Sequence, residues 1–397
     1  MRVAPPTPLH RPLAPRSADR PSFGILSTFP PTACGIATFS AALATGLGAA
    51  GHTVGVVQID GGTAGAGRAD ARVVARIKGS AGDASDAATV LDAFDVAIIQ
   101  HEYGIYGGTD GDAVVDIVRA LDTPALVVAH TVLLEPTPHQ RSVLQDVVEA
   151  ASAVVVMTEA ARWRLCDHYD VDRGKVVLIP HGAVMLPPHD SFDRRIDRPQ
   201  RSLLSWGLLG PGKGIEVAIE ALGMLRDLRP GPRYVVAGRT HPKVAELDGE
   251  AYRESLVARA REVGVVPMVS FDDTYRDLAS LSSLLQATDV VVLPYDSVDQ
   301  VTSGVLVDAV AAGRPVIATD FPHAVELLSS GAGMVVPRKD PAALAAALRD
   351  VLTVPGLADS MAAEARRLAP ELSWSSVAEQ YAGLAEVVLA SAGSAVR

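Results

Sequence analysis

Cysteine and aromatic residues are scarce in this sequence of 397 residues. Its two cysteines, Cys34 and Cys166, give neither the spacing of a metal site nor a disulfide framework, which is typical of a protein from a reducing compartment. Aromatic residues make up only 5%, so we expect a core of Ala, Val and Leu. No apolar run reaches the roughly 20 residues of a membrane-spanning helix. These absences predict a soluble, cytoplasmic, globular protein.

Positive charge is also in the minority. The formal net charge is −11, which argues against nucleic-acid binding because a phosphate backbone requires a basic face. A small phosphate-bearing ligand stays compatible, since it needs only one or two local cations. Residues 1–21 are rich in Pro and Arg but lack the apolar stretch of a signal peptide, so we predict a disordered tail there. Its arginines leave open a peripheral contact with the inner face of the membrane.

From Phe23 onward, short apolar runs alternate with helical stretches, the pattern of a doubly wound parallel sheet. The pattern occurs twice, in residues 22–185 and 201–370, and a linker rich in Pro, Arg and Asp is predicted at 186–200. We therefore predict an α/β protein of two Rossmann-like domains that face each other across a cleft, with ligands at the carboxyl ends of the strands. The predicted strands are 23–27, 53–59, 72–77, 96–100, 125–129, 153–157 and 176–179, then 202–206, 234–237, 268–271, 290–293, 315–318 and 334–336.

Glycine-rich and basic segments follow two strands of the second domain. Residues 205–214 form a strand, a glycine-rich loop and a helix start, so Gly212 and Lys213 lie where backbone N–H groups and an ammonium can hold phosphates. A P-loop is excluded, because Gly214 and then Ile215 follow Lys213 where a Walker A motif requires Ser or Thr directly after its lysine. Arg239 follows the next strand and is predicted at the same edge. Each cation taken singly could equally be an ordinary surface residue.

The segment 299–319 reads as a polar loop, a helix of small residues and a strand. The first N–H groups of such a helix suit a diphosphate. Asp308, one to two turns inside, could accept two hydrogen bonds from a ribose diol. The alternative is an ordinary helix–strand unit of a parallel sheet. The binding candidates in this segment are Ser303, Gly304, Val305 and Asp308.

The first domain offers three candidate positions at strand ends. Gly35 begins the first helix, where the backbone could approach a ligand closely; a tight turn that needs a positive φ is the alternative. His130 ends a strand and could act as a neutral imidazole in the cleft, whereas a structural histidine is the alternative. On the acceptor side, polar side chains follow the strand 96–100, with a solvated loop as the alternative. These acceptor-side candidates are His101, Glu102 and Tyr103.

Together these segments resemble the retaining, nucleotide-sugar-dependent glycosyltransferases of family 4, which have the GT-B fold. The resemblance covers nearly the whole chain from Phe23. It rests on Lys213-Gly214, Ala237-Gly238, the element from Gln300 to Asp308, and the run Ala-Val-Ala-Ala-Gly-Arg-Pro-Val at 309–316. The first loop, Cys-Gly-Ile-Ala-Thr-Phe at 34–39, looks like that of a branch within the family. Residues 371–397 look like the family's closing helix, which crosses back onto the first domain.

Three positions depart from the family pattern. Gln300 and Asp308 replace the two glutamates of the family's Glu-x7-Glu element, and Leu208 replaces an arginine in the first glycine-rich loop. Asp308 can still chelate a ribose diol with a shorter reach, and Gln300 keeps a hydrogen bond near the donor sugar but loses a negative charge. Arg239 is a candidate for the missing cation.

The resemblance implies retaining transfer of a hexosyl group from a GDP-mannose or UDP-glucose type of donor to a glycan, polyol or lipid-linked acceptor. It implies that His130 hydrogen-bonds the transferring sugar and that Gly35 lies against the diphosphate. No metal and no other cofactor are expected, because cations replace the metal on the leaving group. Base contacts are expected near residues 271–275. The predicted catalytic residues are His130, Lys213, Arg239 and Gln300; the alternatives are a catalytically idle GT-B binding module and a GT-B epimerase or phosphorylase.

Overall fold

The computed structural model describes residues 20–32, 34–59, 70, 72–185, 200–274 and 278–395. The chain divides into two compact units. Unit 1 comprises the chain up to Gly182 together with Trp374 onward, and unit 2 comprises Ala183–Ser373. Residues 183–185 and 371–373, which the sequence placed outside the second domain, therefore belong to unit 2. Residues 186–199 of the predicted linker lie outside the described residues.

Unit 1 is built on seven parallel strands. They are β1 (Phe23–Ser27), β2 (Val54–Ile59), β3 (Val73–Ile77), β4 (Val96–His101), β5 (Ala125–Ala129), β6 (Ala153–Val156) and β7 (Val176–Leu178). Their order across the sheet is β3-β2-β1-β4-β5-β6-β7. The order reverses beside β1, and such a switch point opens a crevice at the carboxyl ends of the strands.

Helices connect the strands of unit 1, and their first turns carry recognisable caps. The Thr137 side chain accepts from the Gln140 N–H and begins a helix with Pro138 in its first position, where the missing N–H costs nothing. The Cys34 Sγ accepts from the Ala37 N–H at the start of the first helix. These helices are α1 (Gly35–Ala49), α2 (Ala84–Leu91), α3 (Ala113–Arg119), α4 (Pro138–Ala150) and α5 (Glu159–His168).

Unit 2 contains a second parallel sheet, of six strands. They are β8 (Ser202–Trp206), β9 (Arg233–Ala237), β10 (Val269–Asp272), β11 (Val290–Leu293), β12 (Val316–Thr319) and β13 (Gly333–Val336). The order is β10-β9-β8-β11-β12-β13, so this sheet is also doubly wound and reverses beside β8. Buried aliphatic residues of these strands pack against helices on two faces of the sheet, forming two separate apolar clusters.

The helices of unit 2 alternate with its strands. They are α6 (Ile215–Gly223), α7 (Pro242–Asp248), α8 (Ala251–Val263), α9 (Leu278–Ala287), α10 (Gly304–Ala311), α11 (Pro322–Leu327), α12 (Pro341–Thr353) and α13 (Leu357–Leu368). Among the described helices, no single one has both the length and the apolar composition of a membrane span. A pair bent by 94°, Pro341–Thr353 and Leu357–Leu372, meets that test only when its two helices are taken together.

The last helix, α14 (Trp374–Ala395), belongs to unit 1 and packs against α1. Gly46 of α1 makes this contact possible, because a Cβ there would lie 2.8 Å from the Trp374 carbonyl oxygen and 3.0 Å from the Ala378 Cβ. On α14, Val377 and Tyr381 are completely buried in the core of unit 1. The chain thus returns to complete the core that its own N-terminal half begins.

The predicted fold class is confirmed, since both sheets are parallel and doubly wound. The thirteen strands of the described residues fall where the sequence predicted them, with boundaries shifted by one residue at most. The helices α2, α7 and α11 are each eight residues or shorter. The helix α6 ends at Gly223, since glycine weakens a helix and Met224 provides the cap.

Candidate functional site

A glycine-rich loop joins β8 to α6 in unit 2. Gly207, Gly212 and Gly214 adopt left-handed φ angles of 121°, 86° and 63°, which favour glycine. At Gly214 a Cβ would also lie 1.8 Å from the Pro294 carbonyl oxygen. Only glycine fits there, so the backbone of the loop packs directly against the residue that follows β11.

Backbone hydrogen bonds tie this loop to the segment that follows β9. The Gly207 N–H donates to the Ala237 carbonyl at 3.0 Å, and the Leu209 N–H donates to the Arg239 carbonyl at 2.8 Å. At Gly238 a Cβ would meet the Gly207 carbonyl oxygen at 1.8 Å, so this close contact requires glycine at position 238. The glycine-rich loop and Arg239 therefore share one edge of the sheet.

Lys213 carries a charge that has no carboxylate partner among the described residues. Its Nζ lies 4.4 Å from the centroid of the Tyr295 ring, close enough for a cation–π contact. Burial lowers the pKa of Lys213. The pKa of His241 is lowered by burial and then by the charges of Lys243 and Lys213, so the surroundings are cationic. Such a site favours an anionic ligand.

Arg239 lies beside the same loop but is exposed. Its Nε donates to the Asp273 carbonyl at 3.3 Å, so the guanidinium keeps further donors for a ligand. Asp273 belongs to the segment where base contacts were expected. Tyr275 of that segment lies outside the described residues.

The N-terminus of α10 reaches the same sheet edge. The Ser303 Oγ accepts from the Leu306 N–H at 3.3 Å and caps the helix. Within the described part of the chain, no hydrogen bond uses the N–H groups of Gly304 or Val305. Unpaired N–H groups at the positive end of a helix dipole suit a phosphate.

Asp308 lies on the second turn of α10. Its carboxyl group has no hydrogen-bond or ion-pair partner among the described residues, and burial raises its pKa to about 7. Gln300 behaves differently, because its side-chain amide donates to the Thr302 carbonyl within its own loop. Asp308 is therefore open to a ligand, whereas the amide nitrogen of Gln300 is already engaged.

In unit 1, His130 follows β5 and is held by a neighbouring strand. Its Nε2 lies 2.6 Å from the Gln100 Oε1, so the proton belongs on Nε2 and the bare lone pair on Nδ1. The Phe39 ring packs edge-on against it at 4.9 Å. Burial, followed by the charges of His181 and His101, lowers the pKa of His130 to about 3. The imidazole is therefore neutral at physiological pH.

The acceptor-side candidates lie near His130. The backbone N–H of His130 donates to the His101 carbonyl at 3.1 Å. His101 is only 1% exposed and its Nδ1 has no partner in the described structure, so a solvated loop does not fit this residue. Glu102 accepts a hydrogen bond from the Thr131 hydroxyl at 2.5 Å, and the Tyr103 hydroxyl donates to the Gln140 carbonyl at 3.2 Å.

Gly35 begins α1 and does not adopt a left-handed φ. The tight-turn alternative is therefore wrong for this residue. A Cβ at Gly35 would meet no atom within 4 Å, so the glycine leaves open space at the helix start. That space is compatible with close approach of a ligand, which remains a prediction.

The candidates thus form one set in each unit. Unit 1 holds Gly35, His101, Glu102, Tyr103 and His130, and unit 2 holds Gly212, Lys213, Arg239, Gln300, Ser303, Gly304, Val305 and Asp308. Sequence reasoning missed three residues that contact these sets: Gln100, Tyr295 and His323. Gln100 and Tyr295 stand at strand ends, a signal that could have found them. His323 carries no such signal.

Both halves of the chain match glycosyltransferase families. Residues 33–184 match the family described as Glycosyltransferase Family 4, and residues 188–368 match Glycosyl transferases group 1. The two matches run from residue 33 to residue 368 and leave out only 185–187. The chain belongs to the family 4 glycosyltransferases. The resemblance drawn from Lys213-Gly214 and the 300–316 element is confirmed at the level of the family.

Curated relatives of this family 4 chain include two proteins named D-inositol 3-phosphate glycosyltransferase. The protein of Jonesia denitrificans is 30% identical over 60% of this chain and 58% of its own length. The protein of Streptomyces avermitilis is 30% identical over 67% of this chain and 59% of its own length. The chain thus spans less than two thirds of the length of these relatives.

Solved GT-B structures resemble the whole family 4 chain. HepE of Anabaena, in complex with UDP, has a TM-score of 0.72 and 16% identity, over 92% of this chain and 100% of its own. Sucrose-phosphate synthase of Thermosynechococcus elongatus has a TM-score of 0.75 and 18% identity, over 93% and 100%. At these identities the likeness establishes the fold alone.

Proposed function

We propose that this protein is a retaining glycosyltransferase that moves a hexosyl group from a nucleoside-diphosphate sugar to an acceptor hydroxyl. The observation that carries the proposal is the set of unsatisfied groups at one sheet edge of unit 2. The Lys213 ammonium, the N–H groups of Gly304 and Val305, and the Asp308 carboxyl all lack hydrogen-bond and ion-pair partners among the described residues, although the ammonium lies on the Tyr295 ring. Their chemistry matches a diphosphate joined to a ribose.

The proposed reaction breaks the bond between the sugar C1 and a β-phosphate oxygen. Negative charge then develops on the departing nucleoside diphosphate. Lys213, Arg239 and the N–H groups at the start of α10 would stabilise that charge in place of a metal ion. The acceptor oxygen forms the new bond to C1 on the face that the diphosphate leaves, and its proton passes to the departing phosphate oxygen.

In unit 1 we propose that His130 hydrogen-bonds the transferring sugar. The bare Nδ1 can accept from a sugar hydroxyl, and the low pKa keeps the ring neutral, so it does not repel the positive charge that develops on C1. His101, Glu102 and Tyr103 are proposed on the acceptor side. Gly35 is proposed to lie against the diphosphate, where its missing side chain leaves room.

The names of similar proteins support a first choice of substrates. HepE has been solved with UDP and with UDP-glucose, and the curated relatives are named for inositol 3-phosphate. We therefore propose UDP-glucose as the first donor to test, with GDP-mannose second, and a phosphorylated polyol as the first acceptor, followed by glycan and lipid-linked acceptors.

The test is a donor screen that measures nucleoside diphosphate release with and without each acceptor. The same screen is run on the Lys213→Ala variant, which removes the proposed phosphate contact. This variant should lower kcat/KM by about 10²-fold or more, since a cation on such a leaving group contributes about 3–4 kcal/mol. If the protein bound a nucleotide but released no nucleoside diphosphate from any donor with any acceptor, the result would favour the catalytically idle binding module. Full turnover by a folded Lys213→Ala variant would contradict the phosphate role.

A further inference from the structure

The loop that carries the proposed donor contacts of unit 2 has no regular secondary structure. It runs from the end of β11 to the Ser303 cap of α10 and includes Gln300. A loop of this length would ordinarily sample many conformations, and ordering it during binding would cost affinity. What holds it in place in the absence of a ligand is therefore relevant to function.

The segment Thr319–His323, from the last residue of β12 to the first turn of α11, contacts the start of this loop. The Thr319 hydroxyl donates to the Tyr295 carbonyl at 2.6 Å. The Phe321 ring stacks on the Tyr295 ring, with centroids 5.1 Å apart and planes at 29°. All three side chains are buried, so these contacts are shielded from water. They fix the aromatic platform on which the Lys213 ammonium lies.

His323 holds the other end of the same loop. Its backbone N–H donates to the Gln300 carbonyl at 3.3 Å, and its Nδ1 accepts from the Ser303 N–H at 2.8 Å. Its side chain is only 4% exposed. Because a backbone N–H donates to it, Nδ1 must carry a lone pair, so the ring acts here as an acceptor.

We propose that His323 is a positioning residue for the donor site. It sets the backbone at Ser303, and through it the direction in which the adjacent N–H groups of Gly304 and Val305 point. It touches no substrate in this scheme and acts only through the loop. The inference rests on the proposed function for its effect on catalysis, but the ordering of the loop is a property of the unliganded protein.

The test compares three substitutions of His323. Asn places an acceptor oxygen near the position of Nδ1, Gln moves the acceptor one bond further out, and Leu removes it. Val325→Asn is the matched control, because Val325 lies on the same helix and is 50% exposed. Each variant is measured for hydrogen exchange at the Ser303 amide, for UDP and GDP affinity, for kcat and KM, and for melting temperature.

We expect His323→Asn to resemble the wild type, and His323→Gln and His323→Leu to lose about tenfold or more in nucleotide affinity, the usual effect of a lost buried hydrogen bond. Exchange at Ser303 should accelerate in the same two variants. Equal behaviour of Asn and Gln in exchange at Ser303 would overturn the proposal, as would unchanged exchange in all three. If the wild type bound and turned over no nucleotide, the proposed function would fail, while the exchange results would still decide the role of His323.

Discussion

Asp308 and Lys213 carry charges that no described residue neutralises. A partly buried ion without a partner lowers the stability of the folded state. The pKa of Asp308 is raised to about 7, and that of Lys213 is lowered, in both cases by burial. Groups under this kind of strain concentrate at functional sites, because a ligand can supply the missing partner. For Asp308 we therefore predict that one substitution changes stability and binding in opposite directions.

Asp308→Asn should weaken binding of the nucleoside diphosphate by one to two decades, because a hydrogen bond to a charged group contributes about 1.5–3 kcal/mol. Isothermal calorimetry checks this. In the wild type, hydrogen bonds from the ribose hydroxyls favour the carboxylate, so binding below pH 7 should release a proton from Asp308. Calorimetry in two buffers of different ionisation enthalpy measures the number of protons released on binding. The Asn variant, which lacks the titrating carboxyl, gives the number of protons that the nucleotide phosphates alone release or take up.

The same substitution predicts a change in stability with pH. The folded-state pKa of Asp308 is raised from 3.8 to about 7. The stability that the protonated carboxyl contributes to the folded wild type is therefore fully present below pH 3.8 and is lost as pH rises to about 7. Asp308→Asn removes this loss and should melt at a higher temperature than the wild type at pH 8. A variant that binds nucleotide as tightly as the wild type would contradict the ribose role.

His130→Ala should leave the affinity for nucleoside diphosphate nearly unchanged while kcat falls by about 10²-fold, the pattern of an interaction made mainly in the transition state. Because the pKa of His130 is about 3, this ring should add no loss of activity near pH 6.5. Kinetics and thermal melts on one preparation separate the two roles. A lowered melting temperature with a proportionate loss of activity would indicate a structural histidine.

At the scale of elements, α14 completes unit 1 from the far end of the chain. It lies on α1 where Gly46 allows the two backbones to approach, and it buries Tyr381 in the core. The Tyr381 hydroxyl is buried with no hydrogen-bond partner in the described structure. The ring therefore stabilises this packing through apolar contacts, and the hydroxyl contributes none of it.

Tyr381→Ala should lower the free energy of unfolding by about 3–5 kcal/mol, the usual cost of removing a large buried aromatic side chain. Tyr381→Phe should cost nothing or stabilise, because it removes only an unpaired polar group. Val387→Ala is the control on the same helix, since Val387 is 63% exposed. Denaturant unfolding checks all three. A loss on Tyr381→Phe comparable with that on Tyr381→Ala would mean that the hydroxyl matters.

At the scale of the whole molecule, the proposed nucleotide contacts belong mainly to unit 2. UDP or GDP at about 100 times its dissociation constant should add about 2.7 kcal/mol of stability and raise the melting temperature of unit 2 by about 5–10 °C. Hydrogen exchange should slow in the glycine-rich loop and in the first turn of α10, and stay unchanged in the core strands of unit 1. Protection confined to unit 1 would place the nucleotide elsewhere.

The fold class and the positions of the strands can be predicted from the amino-acid sequence alone. Short apolar runs between helices leave few alternatives to a parallel sheet, and the carboxyl ends of its strands must meet at one edge, so Lys213, Arg239 and Asp308 could be selected in advance. Glycines at positions that need a left-handed φ, such as Gly212 and Gly214, can also be found from the sequence, because they lie in a short loop between a strand and a helix.

The side chains that support those candidates are evident from the three-dimensional structure and not from the sequence. Tyr295 beneath Lys213, Gln100 beside His130 and His323 on the Ser303 amide are each contacts across 20 or more residues of sequence. Such contacts depend on how neighbouring strands align and how far each helix turns, and no local pattern encodes either. The same reason applies to Gln300, whose side chain bonds to its own loop, and to α14, whose place in unit 1 depends on packing against α1.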